Sequence, residues 1–221
     1  MRSVHEVGRG LVTVWGLIDQ TAGMTVTTAL SISVDGYIAG TAETTDHPLG
    51  EGGEALFAWM SEGDTASEFY PSFRMSSSSA RFFDAGARRC GAVVSGRRTY
   101  DLVDGWSGSG PLPGVPLFVL THQPREAPPQ AEVPYVFVTD GIESAILQAD
   151  RAAAGKEVNL MGSTPVRQAL SAGLLDEITL HVAPVLLGDG IRLLDQVPAS
   201  LERLEVVAAA SVTHMRYRVV K

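Results

Sequence analysis

The amino-acid sequence predicts an α/β fold, with a central, mainly parallel sheet, helices on both of its faces and an antiparallel C-terminal edge. From residue 90 onward, apolar segments of strand length alternate with amphipathic segments of helix length, which is typical of parallel sheets covered on both faces. Near the C-terminus, Met215, Tyr217 and Val219 alternate with polar residues. This pattern predicts a strand with one buried face, and residues 204–208 are its expected antiparallel partner.

The first strand is predicted at residues 25–34, where apolar side chains alternate with other residues. An Asp-Gly pair at residues 35–36 ends it. We interpret residues 24–221 as one domain, because no internal repeat or linker divides them. Residues 1–23 are interpreted as an N-terminal extension or an over-called start, since Met24 stands directly before the first strand.

The remaining elements follow from apolar periodicity and turn residues. Residues 41–80 are the least regular part of the chain, and within them residues 54–60 are expected to form a short helix. Asp140 with Glu143 predicts an acidic capping box, and Thr164 predicts a second N-cap. Strands are predicted at residues 92–95, 116–121, 135–139, 158–161 and 178–187, the last interrupted by Pro184. Helices are predicted at residues 81–89 and 99–103, from 140 to 155 and from 164 to 173.

Composition and charge exclude several classes of protein. The 221 residues carry a net charge of −8, which argues against general nucleic-acid binding. No apolar run approaches the roughly 20 residues that a membrane-spanning helix requires. The single cysteine, Cys90, cannot form an internal disulfide, and its place at the start of an apolar run predicts a buried thiol. We therefore expect a cytoplasmic protein that binds neither nucleic acid nor membrane.

The first candidate site is the segment Ser95-Gly96-Arg97-Arg98-Thr99, where an apolar strand runs into a helix start. Unpaired N–H groups and the positive end of a helix dipole suit a phosphate at such a junction. Two guanidinium groups add charge-assisted contacts to phosphate oxygens. The alternative interpretation is a solvated arginine pair at a helix start.

The second candidate turn is Met161-Gly162-Ser163-Thr164, which also follows an apolar strand and precedes a helix. Gly162 permits close approach of a ligand to the backbone, and the two hydroxyls are additional donors. Plain strand–helix architecture is the alternative. Two such turns at one end of a sheet would clamp a diphosphate, although the sequence has neither a G-x-G-x-x-G motif nor a Walker A motif.

The other groups of potentially functional residues give only weak signals of catalysis or ligand binding. The five histidines lack metal-ligand spacing, so no metal site is expected. No nucleophile elbow is present. His181 lies in an apolar strand and is interpreted as a hydrogen-bonded core histidine rather than a base. Trp59 and Trp106 are candidates for flanking a ring-shaped ligand, with ordinary aromatic packing as the alternative.

Six segments in order, over most of the chain from Thr25, carry a family resemblance. The chain resembles the dihydrofolate reductase-like proteins, in the branch of the reductase domain of riboflavin biosynthesis, which implies a three-layer fold. The matching segments are residues 30–39, 94–101, 118–124, 138–142, 160–163 and 173–188.

The resemblance implies NADPH as cofactor and assigns its contacts. One turn would hold the pyrophosphate and reach the 2′-phosphate, and a second would cover the pyrophosphate from the other side. A strand end would hold the adenosine, and backbone groups of the first two strands would hold the nicotinamide carboxamide. The first turn is Gly96, Arg97, Arg98 and Thr99, and the second is Met161, Gly162, Ser163 and Thr164. The residues at the adenosine are Thr121, His122 and Gln123, and those at the carboxamide are Ser31 and Ile38.

Two departures bear on the substrate. Members of the family have consecutive glycines where this chain has Gly162-Ser163-Thr164, and no carboxylate of the irregular region aligns with the acid of dihydrofolate reductases. Asp35, in the loop beside the reacting ring, is the candidate catalytic residue, and a turn-forming Asp-Gly pair is its alternative.

We expect an NADPH-dependent reductase that transfers hydride to a small heterocyclic or other C=N or C=O substrate, of pteridine or ribosylaminopyrimidine type. The alternative is a non-catalytic NADPH-binding module. By analogy with similar proteins, a homodimer is expected in either case.

Overall fold

The computed structural model describes residues 23–195 and 197–221. The extension expected at residues 1–23 therefore lies, apart from Gly23, outside the described residues. In this part of the chain no helix is long and apolar enough to cross a membrane.

Strands and helices alternate from β5 onward, much as the sequence pattern predicts. The strands are β1 (Val26–Ser33), β2 (Tyr37–Ala39), β3 (Thr65–Ala66), β4 (Arg74–Met75), β5 (Cys90–Gly96), β6 (Leu117–Leu120), β7 (Tyr135–Val138), β8 (Glu157–Met161), β9 (Glu177–Ala183), β10 (Ile191–Arg192), β11 (Ser200–Ala208) and β12 (Thr213–Val220). The α-helices are α1 (Ser77–Arg89), α2 (Arg97–Leu102), α3 (Ile142–Ala152) and α4 (Ser163–Ser171). A 3-10 helix covers Gly53–Met60, close to the short helix predicted there.

The large sheet has the strand order β11-β12-β9-β1-β8-β5-β6-β7. All neighbours from β9 to β7 are parallel, whereas β12 pairs with β9 and β11 with β12 in antiparallel orientation. The predicted mainly parallel sheet with an antiparallel C-terminal edge is confirmed. Parallel strands share one direction, so the turns that follow β1, β5, β6 and β8 lie at one end of the sheet.

The two faces of the sheet are covered differently. One face packs on α3 and α4 in the main apolar cluster, in which Val26, Val94, Leu160 and Ile178 are fully buried. Each such side chain contributes roughly 1.5–3 kcal/mol to stability. The other face lies opposite α1, and there the inward strand residues are polar or small and border a cavity. Helices on both faces confirm the predicted layers.

Several element boundaries differ from the sequence prediction. Helix α3 begins at Ile142 with Gly141 as its N-cap, and no side chain caps it, so the capping box at Asp140 was wrong. Helix α4 begins at Ser163 rather than after Thr164, because Gly162 is the N-cap with φ 91° and ψ 159°. This conformation is accessible essentially to glycine alone, so the chain turns into the helix earlier than a Thr cap would allow.

Strand β9 and helix α1 also have bounds other than those predicted. The strand predicted over residues 178–187, with an interruption at Pro184, ends at Ala183, because Pro184 has no N–H for the ladder. Helix α1 begins at Ser77, four residues earlier than predicted, since the Ser76 hydroxyl accepts a hydrogen bond from the Ser79 backbone N–H. The serine run therefore starts a helix rather than extending the irregular region.

Candidate functional site

The two glycine turns predicted from the sequence lie side by side. Strands β5 and β8 are parallel neighbours with Ser95 opposite Met161, so both chains enter their helices at the same end of the sheet. A Cβ atom on Gly162 would lie 2.7 Å from the Thr99 hydroxyl oxygen, and one on Gly96 would lie 3.3 Å from the Pro165 ring. Only glycine fits at Gly162, where the positive φ and the close approach act together.

A cavity of about 800 Å³ opens beside these turns, between the sheet and α1. Its walls are mostly apolar and aromatic, which is typical of small-molecule sites. Five of the sequence-predicted site residues line it, namely Ser31, Ile38, Thr99, Met161 and Gly162. Both the turns and the end of the first strand therefore contribute to one continuous space.

Arg97 lies at the edge of the turn and points towards the end of β6. Its Nε donates to both carboxylate oxygens of Asp101 at 2.9 and 2.8 Å, and its Nη1 donates to the Thr121 hydroxyl at 3.2 Å and the Gln123 carbonyl at 3.0 Å. The structure thus brings Arg97, Thr121 and Gln123 together. His122 lies beside them with an exposed side chain.

Arg98 points away from Arg97. Its Nε donates to Oε2 of Glu43 at 2.7 Å, and its side chain is 67% exposed, whereas that of Glu43 is only 9% exposed. Glu43 lines the cavity and comes from the irregular region that the sequence left without elements. The two arginines expected on one phosphate therefore stand on different sides of the turn. No sequence signal identified Glu43, since its pairing with Arg98 spans 55 residues.

Ser163 and Thr164 form the first turn of α4, where backbone N–H groups lack intrahelical partners. Pro165 follows them without cost, because its missing N–H would have had no partner in this turn. The helix has nine residues and begins beside the Gly96 turn. Its N-terminus is therefore available to an anion held between the two turns.

Asp35 does not line the cavity among the described residues. Its carboxylate accepts hydrogen bonds from the backbone N–H groups of Leu187 at 3.1 Å and Gly188 at 2.7 Å. Hydrogen bonds from the Ser33 side chain and from these two amides lower the pKa of Asp35 to about 2. Asp35 is therefore ionised at neutral pH and anchors the loop after β9, and a role on a substrate stays a prediction.

Trp106 reaches the cavity from a strained turn. Within Asp104–Gly108, residues 104–107 have φ between 47° and 55°, a backbone conformation that is rare for residues other than glycine. The Tyr135 hydroxyl holds the turn by donating to the Gly105 carbonyl at 2.7 Å. Trp59, by contrast, is buried and donates from Nε1 to the Ser31 hydroxyl at 3.1 Å. Of the two tryptophans, Trp106 lines the cavity and Trp59 supports its wall.

His181 is buried and hydrogen-bonded, as the sequence predicts, and it also borders the cavity. Its Nδ1 lies 2.8 Å from Nδ1 of His214 on β12. Burial lowers the pKa of both imidazoles, so both are neutral near pH 7. The sequence did not reveal this pair, because 33 residues separate its members.

Cys90 is buried, and burial raises the pKa of its thiol to about 11. A thiol that stays protonated at neutral pH is a poor nucleophile. Cys90 is therefore the structural residue expected from its place in an apolar run.

Residues 24–215 match the family model of the RibD C-terminal domain. A search of curated protein sequences gave no match. A putative riboflavin biosynthesis protein from Shewanella sp. PV-4 is similar in structure, with 22% identity, a TM-score of 0.68, and coverage of 90% of this chain and 100% of that chain.

Two further solved structures are similar at lower identity. One is a diaminohydroxyphosphoribosylaminopyrimidine deaminase/5-amino-6-(5-phosphoribosylamino)uracil reductase from Thermotoga maritima, with 15% identity, a TM-score of 0.58, and coverage of 91% of this chain but only 58% of that chain. The other is a dihydrofolate reductase from Enterococcus faecalis complexed with NADP(H), with 16% identity, a TM-score of 0.54, and coverage of 89% and 97%. These similarities confirm the predicted dihydrofolate reductase-like fold. Since the family model covers most of the sequence, the chain belongs to the RibD C-terminal domain family.

Proposed function

We propose that the protein is an NADPH-dependent reductase that transfers hydride to a C=N or C=O bond of a small heterocyclic substrate. The observation that carries this proposal is the juxtaposition of the Gly96 and Gly162 turns at the mouth of one cavity. Turns of this kind suit a pyrophosphate, and a cavity of about 800 Å³ has room for a nicotinamide and a second ring.

The residues present fit a dinucleotide. Gly162 forms a cradle that a Cβ atom would fill, and the first turn of α4 is beside it. The pyrophosphate would lie between residues 96–99 and 161–164, the adenosine near Thr121, His122 and Gln123, and the nicotinamide amide near the backbone of Ser31 and Ile38. A bound reduced nicotinamide supplies the hydride, while the protein orients both rings and excludes water.

We assign the 2′-phosphate to Arg97 of the Gly96 turn. Arg97 donates to the Asp101 carboxylate, the Thr121 hydroxyl and the Gln123 carbonyl, beside which the adenosine would lie. A 2′-phosphate on that adenosine would compete with Asp101 for Arg97, whereas NADH carries no such group. Arg98 points to the other side of the turn, where its mostly exposed side chain is paired with Glu43, and we assign it to the pyrophosphate.

The substrate proposal rests on the family and on the cavity wall. The relatives include a ribosylaminopyrimidine reductase and a dihydrofolate reductase by name, and both names describe ring-shaped substrates. Aromatic side chains at Phe57, Phe82 and Trp106 border the cavity and suit a planar ring. We therefore propose a substrate of pteridine or ribosylaminopyrimidine type.

The second candidate is a non-catalytic NADPH-binding module. It is favoured by one observation: the Asp35 carboxylate accepts hydrogen bonds from the Leu187 and Gly188 amides and is ionised at neutral pH, so the expected catalytic residue has no proton to donate. The two candidates share the cofactor and differ in turnover.

A turnover assay separates them. Purified protein is mixed with NADPH and a panel of reducible pteridines, ribosylaminopyrimidines and simple cyclic imines, and loss of reduced-nicotinamide absorbance is followed. We expect oxidation with at least one ring substrate. Tight NADPH binding without oxidation across the panel would favour the module, and absence of NADPH binding would contradict both.

We also propose a homodimer through the antiparallel edge. Strand β11 ends the sheet, so its outer backbone groups have no strand partner among the described residues. Leu201, Val206 and Val220 of β11 and β12 are 40%, 47% and 55% exposed. A second copy would cover these side chains and pair the open edge.

A further inference from the structure

A buried chain of hydrogen bonds connects three elements to the wall of the cavity. Nδ1 of His181 on β9 lies 2.8 Å from Nδ1 of His214 on β12. Nε2 of His214 lies 2.9 Å from the hydroxyl of Ser79 on α1. Ser79, His181 and His214 are all at least nine-tenths buried. The proposed binding residues do not include any of the three.

The two imidazoles share one hydrogen between their Nδ1 atoms. Burial lowers the pKa of both imidazoles, and the neighbouring His214 lowers the pKa of His181 further, so both are neutral near pH 7. A neutral imidazole carries a single N–H. One Nδ1 must therefore donate and the other accept, which leaves two arrangements.

Ser79 decides between these arrangements. Its hydroxyl oxygen accepts a hydrogen bond from the Ser76 hydroxyl at 2.9 Å, so its own hydrogen needs an acceptor. Among the described residues, the acceptor within reach is Nε2 of His214. If Nε2 of His214 carried the hydrogen instead, the buried Ser79 hydroxyl would accept twice and leave its hydrogen unpaired, which is unfavourable.

The direction of every bond then follows. Ser76 donates to Ser79, Ser79 donates to Nε2 of His214, and His214 donates from Nδ1 to Nδ1 of His181. His181 must carry its hydrogen on Nε2, the one ring nitrogen of the pair for which the described residues offer no partner. His181 lines the cavity, and its strand pairs it with Ser31 of β1. Trp59 packs on the ring with centroids 5.0 Å apart and fixes its orientation.

We propose that Nε2–H of His181 donates a hydrogen bond to the substrate, at the oxygen or nitrogen atom of the double bond that is reduced. This inference rests on the proposed reductase function. Negative charge grows on that atom as the carbon accepts hydride from the reduced nicotinamide, a preoriented neutral donor stabilises the charge, and a proton from water completes the reduction. His181 is then a catalytic residue, and His214 and Ser79 are positioning residues. The substrate must present an acceptor, not an N–H group, to this wall of the cavity.

The tautomers can be measured in the full chain without any ligand. Two-bond ¹H–¹⁵N correlation spectra of protein labelled with ¹⁵N-histidine distinguish Nδ1–H, Nε2–H and doubly protonated rings, and His181→Gln and His214→Gln assign the signals. We expect Nε2–H for His181 and Nδ1–H for His214 near neutral pH. Finding His181 as the Nδ1–H tautomer, or doubly protonated, would overturn the inference whatever the activity.

Kinetics test the contact with the substrate. His181→Phe keeps a ring of similar size and removes the donor, so kcat should fall roughly 100-fold, as for loss of one donor to a developing oxyanion. His181→Gln retains an N–H donor and should recover a large part of this loss. NADPH affinity should stay within twofold in both variants, because the cofactor contacts are elsewhere. His47→Gln, at an exposed loop position, is the control.

Equal kcat in the wild type and His181→Phe would overturn the inference. Equal losses in His181→Phe and His181→Gln would do so as well, since they would reveal a packing role only. If none of the substrates tested led the wild type to oxidise NADPH, the proposed reductase function would fail separately. The tautomer measurement would still decide whether His181 presents a donor to the cavity.

Discussion

At the scale of single residues, Gly162 is the position on which the candidate site depends most. Its φ of 91° and the 2.7 Å approach of a Cβ atom to Thr99 leave no room for a side chain. Gly162→Ala should cost about 1–3 kcal/mol of stability and should also move the two turns apart. We expect NADPH affinity to fall at least tenfold, as measured by fluorescence titration.

Gly141→Ala is the matched control for this variant. Gly141 is the N-cap of α3 with a similar conformation, φ 99° and ψ 175°, but nothing lies within 4 Å of its Cβ position. The Gly141→Ala variant should lose about as much stability as Gly162→Ala and should keep the NADPH affinity of the wild type. Equal affinities in the two variants would contradict the assignment of the Gly162 turn to the pyrophosphate.

Arg97 is predicted to discriminate between NADPH and NADH. Because a hydrogen bond to a charged group is worth about 1.5–3 kcal/mol, Arg97→Ala should weaken NADPH binding about tenfold or more beyond any loss that NADH suffers from the altered end of β6. Arg98→Ala should weaken both dinucleotides by similar factors, since both carry the pyrophosphate. Titration of each variant with both dinucleotides tests this, with the exposed Arg151→Ala as control. Equal losses for NADPH and NADH in Arg97→Ala would remove Arg97 from the 2′-phosphate.

The His181–His214 pair predicts that acid destabilises the protein. Burial lowers both pKa values in the folded state, so below about pH 6.5 the unfolded chain binds more protons than the folded one. Stability should therefore fall as the pH decreases, by about 1.4 kcal/mol per pH unit for each imidazole while the folded rings stay neutral. Urea unfolding at about pH 7 and about pH 5 measures the slope.

The slope should be smaller in His214→Gln and unchanged in His47→Gln, whose side chain is exposed. An unchanged slope in His214→Gln would show that other groups cause the acid sensitivity.

At the scale of elements, α1 depends on a cap that the sequence analysis missed. The Ser76 hydroxyl accepts from the Ser79 N–H at 3.2 Å and begins a helix that forms one wall of the cavity. Ser76→Ala should cost about 1 kcal/mol. Ser77→Ala, at the exposed next position, should be neutral or slightly stabilising because alanine is the better helix former. Equal stabilities of the two variants in chemical unfolding would contradict the capping role.

Periodicity predicted the elements well where one face is buried. The apolar stripe of α3, with Ile142, Ala145, Ile146 and Ala149, is buried as expected, and β1, β5 and β8 are central strands. The starts of α3 and α4 were misplaced, because a glycine with positive φ initiates each helix where a polar side chain was expected to cap it. Sequence pattern alone does not reveal such a backbone conformation.

The candidate site was predictable only in part. Local motifs identified the two turns, because each consists of consecutive residues at the end of a strand. Glu43 and the His181–His214 pair depend on contacts between segments that are far apart in sequence, and no local pattern encodes them. The irregular region around Glu43 is held by its own backbone hydrogen bonds, such as Gly40 N–H to the Leu49 carbonyl, and by the Glu43–Arg98 ion pair, and it has no periodic pattern.

At the scale of the whole molecule, the two faces of the sheet have different roles. The α3–α4 face is a continuous apolar core, whereas the α1 face holds the cavity and its polar groups. The positive-φ turns at Gly162 and within Asp104–Gly108 both border the cavity. The apolar core on the α3–α4 face therefore stabilises the sheet. The sheet in turn holds the groups on the cavity side in position.

The antiparallel edge predicts self-association. Val206→Lys places a charge on the exposed part of β11 and should convert a dimer into a monomer without unfolding it. Light scattering coupled to size-exclusion chromatography measures the mass, and Ser200→Lys, at an exposed polar position of the same strand, separates the loss of an apolar contact from the addition of charge. A wild-type protein of 23.4 kDa in solution would contradict the dimer.

NADPH is expected to bind at the two glycine turns beside the cavity. Titration of the wild-type protein with NADPH, followed by tryptophan fluorescence, is the direct test, because Trp106 borders the cavity. We expect saturable quenching at micromolar concentrations in the wild type and in Gly141→Ala, and an affinity at least tenfold lower in Gly162→Ala. Quenching that does not saturate, or that persists unchanged in Gly162→Ala, would contradict binding at these turns.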